Sequence, residues 1–263
     1  NDNTDVSSDT MEMCFYIFLW FVFFHLMYRF FQVVSPKIWP TTYNKLLANN
    51  KNEADYWDSC MVSTVHGFIV AGVGFYVIFT QEGYFTEGFE FESRESLLCG
   101  YIITGYLISD AYLCLTHLMW PGLNMLLFHH FLGIYCFAYS ITHHFGTGMV
   151  VSSVVLEATS PFVNNRWFFD KAGYRQSNIY LINGVLITLS WFVLRIAFFG
   201  WVTYRYTYAL FPELASYNNY HHIVVTLVGF GGAYALQVVW FQKIVAGMLK
   251  VLMGSKSKST KKA

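Results

Sequence analysis

The sequence predicts an all-α membrane protein, a polytopic bundle of about seven transmembrane helices. Of its 263 residues, 55% are apolar and only 12% are charged, whereas a soluble domain carries about 25% charged residues. Several apolar runs reach the roughly 20 residues that a helix needs to cross a hydrocarbon core of about 30 Å. These runs also lack the strict alternation of barrel strands.

Seven segments reach or approach the length of a spanning helix. They cover residues 11–34, 59–80, 96–116, 125–145, 148–160, 178–199 and 222–249. Because proline interrupts a helix, we expect the first to end at Ser35-Pro36 and the fourth to follow a turn at Trp120-Pro121-Gly122. The fifth has 13 residues and stops at Pro161, so it crosses only if its helix continues past this proline.

Basic residues separate the loops into two sides. The tail after the last segment and two of the loops hold eleven of them: Lys37, Lys45, Lys51, Arg166, Lys171, Arg175, Lys250, Lys256, Lys258, Lys261 and Lys262. The opposite loops hold Arg94 and Arg205 together with an acidic stretch at 82–95. Since Lys and Arg accumulate on the cytoplasmic side, we expect the C-terminus on the cytoplasmic or matrix side.

The chain divides into four predicted parts. They are an acidic N-terminal segment (1–10), a first transmembrane helix with its inner loop (11–54), a membrane bundle (55–250) and a basic solvated tail (251–263). Sixteen basic residues balance sixteen acidic ones, so no basic excess supports nucleic-acid binding. The five cysteines form no CxxC pair, which argues against a zinc knuckle and a disulfide framework.

Ionisable residues occur in five of the predicted spans, all towards the inner ends. They are His25, Arg29, His66, Asp110, His129, His130 and Glu157. At 1.5 Å per residue, each lies within roughly 6–14 Å of one membrane face. Such residues are costly in lipid and usually face a cavity or a partner. We therefore predict a polar cavity open to the inner face; for His25 and Arg29 the alternative is that they snorkel to the headgroups.

Within this layer, the His129-His130 pair is a candidate general base, and Glu157 would orient the imidazole. Adjacent helical residues point about 100° apart, so the pair does not converge on one ion, and no metal site is predicted. We expect Arg195, near the outer end of the sixth segment, to make a structural or headgroup contact. The small-residue spacing of Gly67 with Ala71 and Gly229 with Ala233 is typical of close helix packing.

Two stretches carry a resemblance to a known family. "LLFHHFLGIYCFAYSITHHF" followed by "VVLEATSPFVNNRWFFDKAG" resembles the core of the TLC domain, which ceramide synthases share with other lipid-handling membrane proteins. The segments "WFVLRIAFF" and "LQVVWFQKIV" are similar to later parts of the domain. The resemblance covers roughly residues 55–250, is strongest over residues 128–173, and implies a helical bundle around a lipid-accessible cavity.

The motif departs from that of the synthases. In those enzymes a histidine pair is followed, some 28 residues later, by a histidine and two aspartates. Here the pair matches His129 and His130, but the later positions read Leu156, Glu157 and Ser160. The chain therefore resembles the small TLC-domain transmembrane proteins more than the synthases, and N-acyl transfer is in doubt.

Three functions remain open on the sequence. The first is a protein that binds or handles a membrane lipid, such as a phospholipid, and affects membrane lipid homeostasis or transport. The second is an N-acyltransferase that draws acyl-CoA from the inner face and acts on a lipid amine. The third is a non-catalytic accessory subunit with protein partners in a larger membrane complex. No resident cofactor is expected, and the resemblance favours the endoplasmic reticulum over a mitochondrial or other inner membrane.

Overall fold

The structure is a computed structural model that describes the backbone of residues 2–116 and 123–259 and the side chains of residues 10–116 and 123–250. Every regular element in these ranges is helical, which confirms the all-α prediction. The predicted turn at Trp120-Pro121-Gly122 lies outside the description, as do the side chains of residues 1–9 and of the basic tail.

Helices follow one another with short connections. They are α1 (Asp2–Ile38), α2 (Pro40–Asn49), α3 (Lys51–Thr80), α4 (Arg94–Thr116), α5 (Leu123–Thr142), α6 (Thr147–Val155), α7 (Ser160–Lys171), α8 (Asn178–Ser190), α9 (Phe199–Tyr204), α10 (Phe211–Ser216), α11 (Tyr220–Ile223) and α12 (Gly231–Ser259). Single 3₁₀ turns occupy Glu82–Phe85, Gly88–Glu90 and Leu156–Thr159, and π-helical stretches occupy Trp191–Phe198, Arg205–Ala209 and Val224–Phe230.

Six described helices are long and apolar enough to cross a membrane, one fewer than the seven predicted. They are Thr10–Ile38, Lys51–Thr80, Arg94–Thr116, Leu123–Thr142, Asn178–Ala209 and Tyr220–Lys250. The difference is the fifth predicted segment, because a 3₁₀ turn divides it into two helices that are each too short. The chain is an integral membrane protein on this count.

The divided segment nevertheless continues past Pro161 and lies antiparallel to α3. A methyl group on Gly74 would lie 2.9 Å from side-chain atoms of Val154 in α6, and one on Gly67 would lie 2.7 Å from the carbonyl oxygen of Glu157. At the end of α7, Lys171 forms an ion pair with Glu53. From Gly74 to Glu53 the segment thus accompanies α3 for about 30 Å, and glycines permit the close approach.

Clusters of aromatic side chains mark the two ends of the bundle. At the Trp57 end, the Trp57 ring packs against Trp39 and Phe168 with centroid distances of 5.7 and 4.6 Å. At the opposite end, which we call the Phe89 end, the Phe89 ring stacks on Phe145 at 4.9 Å. Aromatic belts of this kind are typical of membrane–water interfaces.

Helix α1 extends four residues beyond its predicted end at Val34. Pro36 lies in the last turn, and the helix ends two residues after it, close to the break that the proline predicts. The buried carboxylate of Asp58 accepts hydrogen bonds of 2.6 Å from the hydroxyls of Ser35 and Tyr43. These bonds attach the end of α1 and the short α2 to α3.

Candidate functional site: a polar cavity inside the bundle

A cavity of about 290 Å³ lies between α5 and the helices around it. Its lining reaches from Tyr56 near the Trp57 end to Ser140 and Met149 near the Phe89 end. The walls are mainly apolar, and five carboxylate, imidazole or guanidinium side chains interrupt them: Asp110, His129, His130, Glu157 and Arg195. The volume is at the lower limit of small-molecule binding sites, which span about 300–1,000 Å³.

The first polar centre of the cavity is built on Asp110 of α4. The Nε2 atom of His130 lies 3.1 Å from Asp110 Oδ2, and the hydroxyl of Ser59 donates to Asp110 Oδ1 at 3.0 Å. Asp110 and His130 are 8% and 4% exposed, so both are shielded from solvent. Ser59 is two residues from Trp57, which places this centre near the Trp57 end.

Both ring nitrogens of His130 face oxygen acceptors. Nδ1 lies 2.7 Å from the carbonyl oxygen of Leu126, and Nε2 faces the Asp110 carboxylate. A neutral imidazole has one donor and one acceptor nitrogen, so this geometry suits a doubly protonated ring that is paired with the carboxylate. Asp110, and not Glu157 as expected, is the carboxylate that orients the histidine.

The second polar centre joins Glu157 to Arg195. Arg195 Nη2 lies 3.4 Å from Glu157 Oε1, and Ser160 donates to Glu157 Oε2 at 2.6 Å. The guanidinium also donates to Thr159 Oγ1 at 2.8 Å, to Gln237 Oε1 at 3.0 Å and to a backbone carbonyl oxygen in the 3₁₀ turn. It therefore connects three segments of the bundle.

The two centres lie at different depths. Asp110 contacts Ser59 of α3, whereas Glu157 lies beside Gly67, eight residues further along the same helix. Eight residues correspond to about 12 Å of helix. The prediction of one shared layer is wrong in this respect, because the segment continues past Pro161 and Glu157 lies within it and not at its end.

Comparison with known proteins decides the family. The model of the TLC domain matches residues 56–246, which include both polar centres and the whole lining of the cavity. The chain belongs to the TLC-domain family. The family is thus shown for about three quarters of the sequence, in agreement with the resemblance carried by the His129-His130 region.

Similar TLC proteins are small. The chain is 29% identical over 240 residues to TLC domain-containing protein 4 of Homo sapiens, an alignment that covers 88% of this chain and 85% of the relative. It is 28% identical over 228 residues to TLC domain-containing protein 4-B of Xenopus laevis, with 83% of each chain covered. An uncharacterized TLC domain-containing protein of Schizosaccharomyces pombe is 24% identical over 246 residues, or 89% of this chain and 79% of that one. The chain is therefore homologous to TLC domain-containing protein 4, which is a small TLC protein rather than a ceramide synthase.

Three residues predicted to line the cavity of the TLC bundle do not line it. His66 is fully buried and stacks on Tyr106 with a centroid distance of 3.7 Å, so the tyrosine ring separates it from the cavity. His25 packs against aromatic rings of α1 and α4. Arg29 is exposed and donates to Gln32. Depth along a helix was predicted for these residues, but the direction of the side chain was not.

Arg195 is the cavity residue that the sequence interpretation assigned differently. It is 6% exposed and its guanidinium lies 4.5 Å above the Trp191 ring, so it makes no headgroup contact. It lies in the π-helical stretch Trp191–Phe198, in a helix that extends ten residues beyond its predicted end at Phe199. The available signal was an isolated arginine inside an apolar run, which usually marks a buried partner.

A seam between α5 and the Tyr220–Lys250 helix forms one wall of the TLC cavity. The rings of His129 and Trp240 meet edge to face at 5.7 Å. A methyl group on Gly229 would lie 2.4 Å from Cys136 Sγ, so glycine is needed for this approach. The spacing of Gly229 and Ala233 therefore serves close packing, as expected, and both residues also line the cavity.

Proposed function

We propose that this protein binds a membrane lipid in the cavity between α5 and the rest of the bundle, and so takes part in membrane lipid homeostasis or transport. The observation that carries the proposal is an elongated, mainly apolar cavity with two polar centres inside a membrane-embedded TLC bundle. An acyl chain suits the apolar walls, and the polar group of a lipid finds hydrogen-bonding partners at the two centres.

A cavity-filling pair of variants tests lipid binding. Gly229 lines the cavity, whereas a methyl group on Gly231, two residues later, would meet no atom within 4 Å. We expect wild-type protein purified in mild detergent to retain lipid in native mass spectrometry. Gly229→Leu should lose that lipid, and Gly231→Leu should keep it.

A second cavity-filling variant controls for a local distortion at Cys136 in Gly229→Leu. Ala233 also lines the cavity, so Ala233→Leu should reduce lipid retention in the same way. Equal retention by the wild type and both filling variants would contradict lipid binding in this cavity.

One observation favours acyl transfer as a second candidate function. His130 is engaged at both nitrogens, but within the described part of the chain no hydrogen bond engages the His129 ring, which faces the cavity. We infer that His129 would be the general base of such a reaction, with acyl-CoA as donor. The His129→Ala variant, assayed in liposomes with acyl-CoA and lipid amines, should then lose acyl transfer while His143→Ala keeps it. Unchanged transfer by His129→Ala would exclude this mechanism.

The distribution of basic residues supports a proposed orientation. Six basic residues lie in the last turn of α1, in α2, at the start of α3, in α7 and in the connection to α8, all towards the Trp57 end: Lys37, Lys45, Lys51, Arg166, Lys171 and Arg175. We propose that this end faces the cytoplasm, or the matrix of a mitochondrion, with the endoplasmic reticulum as the favoured membrane. Glycosylation acceptor sites inserted between Gly83 and Glu90, and separately at residue 174, should be modified only at the first position; modification only at the second would reverse the orientation.

A further inference from the structure

The charged groups of the cavity are paired with each other. His130 contacts Asp110 at 3.1 Å, and Arg195 contacts Glu157 at 3.4 Å. Each pair joins one cationic and one anionic side chain, so the lining has no uncompensated charge when His130 is protonated. A neutral His130 would leave the lining with one excess negative charge.

Arg195 has little capacity left for an anionic ligand. A guanidinium has five N–H groups. Nε donates to Thr159, Nη1 donates to Gln237, and Nη2 donates to the Leu156 carbonyl oxygen and faces Glu157. Four N–H groups are thus directed at acceptors of the bundle itself, and the charge is compensated by Glu157.

The ring of His129 lies 5.8 Å from that of His130, so repulsion from a protonated His130 keeps it neutral. The remaining polar groups of the lining are uncharged. They include the hydroxyls of Ser63, Ser140 and Ser153 and the side-chain amide of Asn164. Hydroxyl and amide groups can exchange hydrogen bonds with an alcohol, an ester or an amide, but they supply no counter-charge to a phosphate. A phosphate inside the cavity would therefore be buried without a partner of opposite charge, which is strongly unfavourable.

We propose that the cavity selects lipids whose polar group is uncharged, an alcohol, ester or amide, and rejects those whose phosphate must enter. This inference rests on the proposed function, because it concerns the ligand of the same cavity. It restricts the lipid to a chemical class that the family and the cavity volume leave open.

Two photoactivatable probes with the same 16-carbon diazirine chain test this selectivity. One carries a hydroxyl head and the other the phosphate monoester of that hydroxyl, and the full chain is reconstituted in phosphatidylcholine bilayers. Labelling of α5 and of the Tyr220–Lys250 helix is mapped by mass spectrometry. It is divided by labelling of the exposed α1 side chains Phe18 and Leu26, which corrects for the amount of probe in the bilayer.

We expect the alcohol to label the cavity at least about tenfold more than the phosphate, a factor that corresponds to about 1.4 kcal/mol. Equal labelling, or preference for the phosphate, would overturn the inference and leave lipid binding intact. If neither probe labels the cavity above the α1 reference, the proposed function fails together with the inference.

A variant that neutralises one charge of the cavity tests the basis of this selectivity. Glu157→Gln removes the counter-charge of Arg195, so labelling by the phosphate probe should rise severalfold relative to the alcohol. The matched control is Glu53→Gln, whose partner Lys171 lies at the end of α7 and outside the cavity; its labelling ratio should equal that of the wild type. Unchanged selectivity in a folded Glu157→Gln protein would overturn the inference, and if this variant does not fold, the wild-type ratio decides.

Discussion

Two halves of the bundle are held together in different ways. In the half built around α4, 72% of the apolar window of that helix is buried, against 22% for α5 and 28% for the Tyr220–Lys250 helix. Helix α4 packs closely with α1, α3 and α6, and its Gly105 lies against the backbone of α1. In the other half, hydrogen bonds of Arg195, His130 and Asn183 connect helices that have fewer buried residues.

This difference explains where the cavity forms. Lipid tails are as apolar as leucine, so helices in a membrane associate through close packing of small residues and through hydrogen bonds. The half around α4 relies mainly on the first means, with the Asp58 hydrogen bonds added at its Trp57 end, and leaves little space. The half around α5 uses the second, and polar contacts can hold helices together across a gap. The comparison predicts that replacing polar side chains destabilises the half around α5. Changes of side-chain volume should destabilise the half around α4.

Arg195→Met should have the largest effect. It leaves the partly buried Glu157 carboxylate, which faces the cavity, without its cation, and breaking a buried pair typically costs about 3–5 kcal/mol. We expect a loss of this size in the free energy of unfolding, measured by circular dichroism during titration from mild detergent into sodium dodecyl sulfate.

Two further variants separate charge from packing at Arg195. The double variant Arg195→Met with Glu157→Met should recover much of the loss, because apolar residues often replace a buried ion pair without cost. Arg205→Met, at a half-buried arginine near Tyr206, is the matched control and should change little. If Arg195→Met were as stable as Arg205→Met, the half around α5 would not depend on the polar contacts of Arg195.

Gly67→Leu tests the closely packed half. Its side chain would displace the backbone at Glu157, because a Cβ atom alone already lies 2.7 Å from that carbonyl oxygen. Overpacking typically costs about 1–3 kcal/mol, and a backbone contact places this site at the upper limit. The control is Gly72→Leu on the same helix, where an added Cβ meets nothing within 4 Å. Thermal denaturation in detergent should show a lower midpoint only for Gly67→Leu; equal midpoints would mean that α3 and the divided helix are not closely packed.

Asp110→Asn should have a smaller effect on the half around α5. The amide keeps a hydrogen bond to Ser59, and His130, unlike Arg195, can lose its proton when its counter-charge is removed, so only about 1–2 kcal/mol of stability should be lost. The same unfolding titration measures it. Asp170→Asn, which affects the exposed pair with Arg175, should leave the free energy of unfolding unchanged. Equal losses in the two variants would contradict a stabilising contribution of the Asp110–His130 pair.

Glu53→Gln should have the smallest effect. Its pair with Lys171 joins α3 to α7 at the Trp57 end, where both side chains remain partly exposed. Pairs of this kind contribute roughly 0–1 kcal/mol. Unfolding midpoints at low and high salt should differ little between this variant and the wild type; a loss larger than that of Asp110→Asn would show that this partly exposed pair stabilises the bundle more than the buried one.

The predicted segments located the six helices long enough to span a membrane and also α6, but missed short helices such as α2, α7 and α10. Their errors have identifiable causes. The fifth segment was cut at Pro161, although a proline in the first turn of a helix costs no hydrogen bond and α7 begins at Ser160. The sixth was ended too early, because the helix continues through polar residues as far as Ala209. Hydrophobicity alone does not report either continuation.

Of the predicted site residues, Asp110, His129, His130 and Glu157 line one cavity, whereas His25, Arg29 and His66 do not. For Arg195 the sequence left a structural and a headgroup contact open, and the structure shows a structural contact with Thr159, Gln237 and Glu157. Arg195 lies in a π-helical stretch, and no local propensity in the sequence predicts a π-helix.

The sequence by itself determined that the chain crosses a membrane as helices, and how the ionisable groups are spaced along each helix. An apolar run and a constant rise per residue are sufficient for both. Only the tertiary structure decided which groups meet: Asp110 with His130, and Glu157 with Arg195. These partners meet because each helix is rotated about its axis, and placed against its neighbours, in one particular way. Both depend on packing between segments that are distant in the chain.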